Sequence, residues 1–359
     1  MSAPRPTPQT RAEDARVDVS VVIVNWNTRA LLLDVIDSVK KTTHAASFEV
    51  IVVDNASQDG SVEALEQHHP DVTVVTNPDN YGFARANNIG FARARGAAYC
   101  LVNTDVVALD GVIDTLWQYL CDHPRVGAVG PRTRDGDGRL RLNVRRFPSL
   151  RNALGDHLWL KRALPAVFPG RSMPPAFFDS THPADVLSGC FLMVRREAVE
   201  EVGPLDEGFF FYGEDTDWGR RFRDGGWDCV YHPSAQAIHY GGGSTAAHPV
   251  AYYLTMEKAD LRYWTKHHPA PARRAYVAIR LLHNVGATVW WSLLWMGRPH
   301  RRETAGLKVR GTRFDARLRR AGMRLRRGEV KFLLSPGFPG EAAADPDAWL
   351  LTQGDGNDV

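Results

Sequence analysis

The chain has 359 residues, 44% of them hydrophobic and 24% charged, with a formal net charge of +3. These values are typical of an ordinary soluble protein with one large or two modest domains. The four cysteines lack C-x-x-C spacing, and three of them lie inside apolar runs, which favours buried thiols in a reducing compartment. Residues 1–17 contain no apolar run, so we expect a disordered leader, no secretory signal and a cytoplasmic location.

The first third of the chain alternates apolar runs with helical patterns. Strands are predicted at 19–27, 48–57, 71–77 and 98–105, and helices at 29–43, 61–69, 82–96 and 111–123. A repeated strand–helix order predicts an α/β fold with a mostly parallel sheet covered by helices. Ligands bind such sheets at the carboxyl ends of the strands, where we expect these side chains to gather: Asn25, Asn27, Asp54, Asn55, Asn77 and Asp105.

Asp105 ends the fourth apolar run, in the sequence Asn103-Thr104-Asp105. A carboxylate there is suited to hold a hard cation against a diphosphate. A helix cap is excluded, because the next helix begins only at Asp110-Gly111; a plain turn stays open. The first strand is not followed by G-x-G-x-x-G, and there is no Walker A motif, which disfavours NAD binding and NTP hydrolysis.

Two further candidates lie in the second half, where the alternation breaks down and residues 150–182 show no clear periodicity. Glu214 and Asp215 follow an aromatic run that would desolvate a carboxylate and raise its pKa toward that of a useful base. Their simpler role is to open a helix, whose dipole favours acidic residues. His239 leaves an apolar run into a glycine loop, where it is either structural or a second metal ligand beside Asp105.

The C-terminal part combines a Trp-rich apolar segment, 276–297, with a basic one. Residues 298–331 contain eleven arginines and two lysines against three acidic residues. Arg280, His283 and Asn284 interrupt the apolar segment, so it is a poor membrane-spanning helix. We predict that 275–331 binds an anionic membrane surface through an interfacial helix, the alternative being a helix packed on the main domain with a solvated basic tail.

Six motifs carry a family resemblance, in order and spacing: VVIVNWN, VVDNASQDGS, NPDNYGFARANNIG, LVNTDV, the stretch from SGCFLMVRREAVEEVG to FRDGGW, and AIHYGGGS. Over residues 18–250 the chain resembles the inverting family 2 glycosyltransferases, most closely the rhamnosyltransferase-like branch of bacterial cell-surface glycan synthesis. The resemblance implies a GT-A fold with a nucleotide-sugar half at 18–130 and an acceptor half at 131–250. A helical appendix at 251–335 and a tail at 336–359 would follow.

The resemblance also implies roles for individual residues. Asn103-Thr104-Asp105 takes the place of the family's aspartate-x-aspartate motif, so that Asp105 and His239 would bind Mg²⁺ or Mn²⁺. Asp215 would be the general base, with Glu214 beside it orienting or binding the acceptor. Nucleotide-sugar contacts would come from Asn25, Asn27, Asp54, Asn55, Asn80, Gly82, Phe83, Asn87, Asn103 and Asp105. The acceptor side would be lined by Ser188, Gly189, Cys190 and Trp218, the last of these equally suited to core packing.

The implied reaction moves a sugar, rhamnose by family analogy, from dTDP-rhamnose or a UDP-sugar to a hydroxyl of a glycan or a polyprenyl-diphosphate-linked acceptor. The enzyme would then work peripherally on the inner face of the plasma membrane. A sugar nucleotidyltransferase is disfavoured, because no Gly-rich basic loop follows the first strand. The remaining alternative is a non-catalytic module that binds a nucleotide-sugar or a polyanion. Few aromatics are interleaved in the basic segment, so we expect no nucleic acid partner.

Overall fold

A computed structural model describes residues 17–241 and 249–297. The described residues form two compact units. Among the described residues, unit 1 comprises 17–147, Ser172–Asp206 and 214–241, and unit 2 comprises Pro148–Arg171, Glu207–Gly213 and 249–297. The predicted leader up to residue 16, the basic segment 298–331 and the tail 336–359 lie outside the described residues.

The strands, numbered in chain order, are β1 (Val17–Asn25), β2 (Phe48–Asp54), β3 (Thr73–Thr76), β4 (Gly96–Val102), β5 (Val106–Ala108), β6 (Val126–Arg134), β7 (Val144–Arg145), β8 (His182–Pro183), β9 (Val186–Leu187), β10 (Phe191–Arg195) and β11 (Asp228–His239). The helices are α1 (Arg29–Thr42), α2 (Ser61–His68), α3 (Gly82–Phe91), α4 (Val112–Asp122), α5 (Leu150–His157), α6 (Leu160–Ala163), α7 (Arg196–Val202), α8 (Glu214–Asp224), α9 (Pro249–His267) and α10 (Ala270–Gly297), with a 3₁₀ helix at Pro175–Asp179.

Unit 1 is built on a mixed sheet in the order β3-β2-β1-β4-β10-β6-β11-β5, with β8 on β11. The pairs among β1 to β4 are parallel, as is β6 with β11, whereas β10 runs antiparallel between β4 and β6. Strand β1 is rich in β-branched residues because both of its faces are buried, with Ile23 packed beside α1 and Val22 in the cluster on the opposite face. This arrangement confirms the predicted α/β class.

Three local features differ from the sequence prediction. Helix α3 ends at Phe91, and Gly96 already opens β4, where its N–H donates to Ser20 Oγ. The fourth predicted strand ends earlier than expected, at Val102, and a turn at Asn103, whose carbonyl accepts from the Val106 N–H, leads into β5. Strand β6 was missed because Gly127, Gly130 and Pro131 weaken its pattern. Those glycines are required by packing, since a Cβ on Gly127 would lie 2.9 Å from Trp227.

Unit 2 contains α5, α6, α9 and α10. A capping box formed by Ser149 and Asn152 begins α5 within the stretch that showed no periodicity. Trp264 on α9 stacks on Tyr276 of α10, with ring centroids 4.4 Å apart. None of the described helices is both long enough and apolar enough to cross a membrane.

Gly90 on α3 offers a test of how closely this helix packs on β1. A Cβ at this position would lie 2.4 Å from Val22 Cγ1, a stiff side chain in the middle of the sheet. We therefore expect Gly90→Ala to destabilise the fold by about 1–3 kcal/mol despite the better helix propensity of alanine. Thermal unfolding followed by circular dichroism measures the effect.

Gly286→Ala is the matched control, because among the described residues nothing lies within 4 Å of a Cβ built on this helical glycine. Its melting temperature should be unchanged or slightly raised. Equal melting temperatures for the two variants would contradict the close packing of α3 on β1.

Candidate functional site

The carboxyl ends of β1 and β2 are joined by a buried polar network centred on Asp54. Asn25 Nδ2 donates to Asp54 Oδ1 at 2.8 Å and to Ser57 Oγ at 3.0 Å, and the Ser57 N–H donates to Asp54 Oδ2 at 2.9 Å. The Asn27 N–H donates to Ser57 Oγ, with Asn27 in the left-handed region at φ 53°. Asp54 and Asn25, which are both buried, therefore fix the two loops.

Asn55 extends this network to the start of α3. Its Nδ2 donates to Asn80 Oδ1 and to the Gly82 carbonyl, each at 3.2 Å, and its Oδ1 accepts from Asn77 at 2.9 Å. Asn80 Oδ1 also accepts from the Gly82 N–H. Gly82 has φ 76°, which a residue with a Cβ rarely adopts, and this explains the glycine at the entrance to the helix.

Phe83 and Gly189 bring together the predicted nucleotide-sugar residues at the start of α3 and the predicted acceptor residues 188–190. A Cβ on Gly189 would lie 3.4 Å from Phe83 Cε1, so the start of α3 abuts the loop before β10. Asn87 is buried and donates to the Phe83 carbonyl, so its amide stabilises the helix. In the same loop the Ser188 N–H donates to the Asn143 carbonyl, and the Cys190 carbonyl accepts from the Asn103 N–H.

Asp105 and His239 meet because β5 and β11 pair in antiparallel fashion, with His239 opposite Val106. His239 Nε2 lies 3.3 Å from Asp105 Oδ1, and both side chains are mostly buried. Burial alone would lower the pKa of His239, but its hydrogen bonds to Asp105 and Cys190 outweigh this and raise the pKa to about 10. The two residues therefore form one polar unit at the strand ends.

The residues present fit a divalent cation only if the ligand completes the coordination shell. Asp105 and His239 supply one carboxylate and one imidazole, a pair that suits Mn²⁺ once His239 releases its proton to bind the cation. The described residues contain no group of three or more His, Cys, Asp or Glu side chains able to hold a metal. A cation here would thus need further oxygen ligands from a diphosphate or from water.

Glu214 and Asp215 open α8, and both are buried. Arg145 donates to Asp215 Oδ2 at 3.0 Å, and Asp215 Oδ1 accepts from the Thr216 N–H at 2.6 Å. Burial and then repulsion from Asp215 raise the pKa of Glu214 to about 8, and its Oε2 has no hydrogen-bond partner among the described residues. Burial beside a second carboxylate therefore favours the protonated form of Glu214, while Asp215 is the member of the pair that Arg145 contacts.

Arg145 was not predicted as a site residue, although it links the pair to the loop before β10. It lies on β7 opposite Val186 of β9, which directly precedes the loop at Ser188. Seventy residues separate Arg145 from Asp215, so no local spacing could reveal the pair. Ser57 was also missed, although it lies only three residues after Asp54, close enough for its backbone N–H to donate to that carboxylate.

Trp218 is a correction to the predicted acceptor site. Its side chain is 1% exposed, its ring stacks on Phe91, and its Nε1 donates to the Gly203 carbonyl at 3.0 Å. No face of the indole is left for a sugar, so Trp218 is a core residue. Asp217 is buried as well and pairs at 2.8 Å with Arg221 Nε, one helical turn further along α8.

The family model of glycosyl transferase family 2 matches residues 20–203, just over half of the chain. The chain belongs to glycosyl transferase family 2. Residues of the network around Asp54, the Asp105 turn and the loop before β10 fall within this match, whereas Glu214, Asp215 and His239 follow it. The family and the fold together establish the chain as a glycosyltransferase and confirm the resemblance seen in its motifs.

Known proteins similar to the chain agree with this family. Over 234 residues, 61% of this chain and 75% of the relative, it is 32% identical to an N-acetylglucosaminyl-diphospho-decaprenol L-rhamnosyltransferase of Mycobacterium tuberculosis. An O-antigen biosynthesis protein of Myxococcus xanthus is 26% identical over 68% of this chain and 19% of its own length.

The solved structures support the GT-A fold. A mannosyltransferase from Pyrobaculum calidifontis, solved with GDP-mannose and Mn²⁺, superposes with a TM-score of 0.50 at 18% identity, covering 94% of this chain and 84% of its own. GalNAc-T7, solved with UDP, GalNAc and Mn²⁺, superposes with a TM-score of 0.51 at 17% identity, covering 69% of this chain and 48% of its own.

The raised pKa of Glu214 predicts a pH-dependent stability. The unfolded chain ionises this residue near its ordinary pKa of 4.5, whereas the folded chain keeps it protonated until about pH 8. Unfolding thus releases a proton within this window, and the residue's contribution to stability falls as the pH rises from about 5 to 8. Glutamine cannot ionise, so the stability of Glu214→Gln lacks this pH dependence. The melting temperature of the variant minus that of the wild type should therefore increase from about pH 5 to pH 8.

Differential scanning fluorimetry from pH 5 to 8 measures this trend, with Glu66→Gln on the exposed surface of α2 as the control for loss of a carboxylate. A difference between Glu214→Gln and wild type that stays constant with pH would show that Glu214 is ionised in the folded protein.

Proposed function

We propose that the chain transfers rhamnose from dTDP-rhamnose, with inversion, to a hydroxyl of a glycan acceptor linked to a polyprenyl diphosphate. A UDP-sugar is the second choice of donor. The observation that carries this proposal is the 32% identity to an enzyme whose name gives both its sugar and its lipid-linked GlcNAc acceptor. It is supported by the gathering of the polar motifs at the carboxyl ends of the strands, where α/β sheets bind their ligands.

The donor is proposed to lie against the network of Asp54. Asp54 would accept from the base or ribose, while Asn27, exposed at the rim, contributes a further polar group. The loop of Asn80 and the start of α3 would close over the nucleotide and the sugar. Asn55 supports this role, because its side chain connects the rim directly to Asn80 and Gly82.

Asp105 and His239 are the residues proposed to hold Mg²⁺ or Mn²⁺ beside the diphosphate. When bound, the cation would stabilise the negative charge that builds on the leaving phosphate. Asn103, at the turn, keeps this loop in place through its backbone bond to Cys190. With asparagine at the first position of the motif, the site carries one carboxylate fewer, and we expect modest metal affinity in the absence of donor.

Asp215 is proposed as the general base that removes the proton of the attacking acceptor hydroxyl. Arg145 holds one of its oxygens and offsets its charge. Burial and the neighbouring carboxylate raise the pKa of Glu214. Glu214 would therefore remain uncharged at the site, where it orients or binds the acceptor. The bond to the hydroxyl oxygen forms as the bond from the sugar to the diphosphate breaks, through an oxocarbenium-like state.

The two members of the acidic pair should respond differently to amide substitution. Asp215→Asn removes the base and should lower kcat by about 10²–10⁴-fold while the donor still binds. Glu214→Gln resembles the protonated side chain and should retain most of the activity at neutral pH. Radiolabelled sugar transfer and isothermal titration with donor measure the two effects. The opposite pattern, with Glu214→Gln inactive and Asp215→Asn active, would move the base to Glu214.

The first measurement is donor binding and hydrolysis with dTDP-rhamnose, UDP-glucose, UDP-GlcNAc, UDP-galactose and GDP-mannose, with and without Mn²⁺. We expect one donor to bind in a Mn²⁺-dependent manner, and Asp105→Asn or His239→Gln to abolish that dependence. Asp110→Asn is the matched control, because Asp110 forms an exposed pair with His44 at 2.7 Å. A folded protein that binds none of the donors would favour the non-catalytic module instead.

A further inference from the structure

The longest helix of unit 2, α10, has polar residues on its buried side and apolar residues on its exposed side. The inward side of α10 includes Arg280 and Asn284, which are 6% and 1% exposed. Arg280 Nη2 donates to Glu257 Oε1 on α9 at 2.5 Å, and Arg280 Nη1 lies 3.1 Å from His157 Nδ1 of α5. The polar residues that interrupt this apolar segment in the sequence therefore face the interior of unit 2, where Arg280 joins three of its helices.

The opposite side of α10 is apolar and exposed. Between residues 275 and 293, every exposed position whose side chain is described is apolar: Ala278, Leu282, Val285, Gly286, Val289, Trp290 and Leu293. The five large members of this group are 54–60% exposed. Steps of three and four residues place them on one side of the helix, and from Ala278 to Leu293 they extend over about 22 Å. We call this set the α10 face.

Such a face is unusual on a soluble surface, since contiguous exposed apolar patches normally mark an interaction site. Two features of the chain indicate a lipid surface as the occupant. Trp290 belongs to a residue type that favours the membrane–water interface. The sequence that directly follows α10, residues 298–331, contains thirteen basic and three acidic residues, which attract anionic headgroups and disfavour close approach of a second copy.

We propose that the α10 face is a membrane-docking surface that lies in the interface of a bilayer rich in anionic lipids, with Leu282, Val289 and Trp290 among the inserted side chains. The helix lies along the surface, consistent with the absence of a membrane-spanning helix among the described residues. Its buried Arg280 bonds to Glu257 and His157, so the helix stays in unit 2 while the outer side meets lipid. The proposal depends on neither the donor sugar nor the identity of the base.

The test compares two double variants of the full-length chain that change the same residue types. Leu282→Gln with Val289→Gln removes two members of the α10 face, which are 60% and 54% exposed. Leu164→Gln with Val167→Gln changes exposed residues elsewhere in unit 2, which are 53% and 48% exposed. All four side chains are exposed, so both variants should fold, which near-ultraviolet circular dichroism and donor binding check independently.

Flotation with vesicles of phosphatidylcholine and phosphatidylglycerol gives the readout. We expect the wild type and the Leu164/Val167 variant to bind, more weakly as salt rises, and the Leu282/Val289 variant to bind at least about tenfold more weakly, because two apolar side chains are lost from the inserted side. Equal binding by both variants, or no binding by the wild type, would overturn the proposal. A concentration-dependent dimer that only the Leu282/Val289 change dissociates, with vesicle binding intact, would identify a second copy as the occupant instead.

Discussion

The insertion of β10 between β4 and β6 is the constraint that assembles the candidate site. Strand β10 runs antiparallel to both neighbours, so the loop that precedes it arrives at the edge where the parallel strands end. Cys190, at the end of this loop, thereby bonds to Asn103 through the backbone and to His239 through its side chain. The preceding strand β9 pairs with β7, which carries Arg145 to Asp215. One strand placement thus connects the Asp105 turn with the acidic pair.

Buried charge is handled differently at two places in the molecule. Arg280 is buried with a carboxylate partner, Glu257, so that the ion pair compensates much of the desolvation cost. Glu214 is buried beside another carboxylate, which raises its pKa and favours its neutral form. The first arrangement holds helices together, whereas the second favours an uncharged Glu214 beside the carboxylate that Arg145 contacts.

Sequence reasoning succeeded where the chemistry is repeated along neighbouring strands. The positions of Asn25, Asp54 and Asn55 followed from the rule that parallel strands end at a common edge, and the structure joins them there by hydrogen bonds. It failed where packing overrides propensity, as in β6, whose Gly130 and Pro131 conceal a central strand. It also failed where pairing between distant parts of the chain places a residue at the site, as it does for Arg145 beside Asp215. Trp218 was ambiguous because an indole near an acidic pair suits a sugar and a core equally well, and only burial distinguishes the two.

Helix α10 shows why hydropathy alone could not choose between packing and membrane binding. The sequence presents an apolar segment interrupted by Arg280 and Asn284, and both predicted roles assume that one side of the helix is apolar. In the structure the apolar side is turned outward, and the polar residues hold the helix to its own unit. A helix whose only role was core packing would bury Leu282 and Val289, because leaving them in water forgoes about 1.5–3 kcal/mol each. Packing and docking are therefore compatible functions of opposite sides of the same helix.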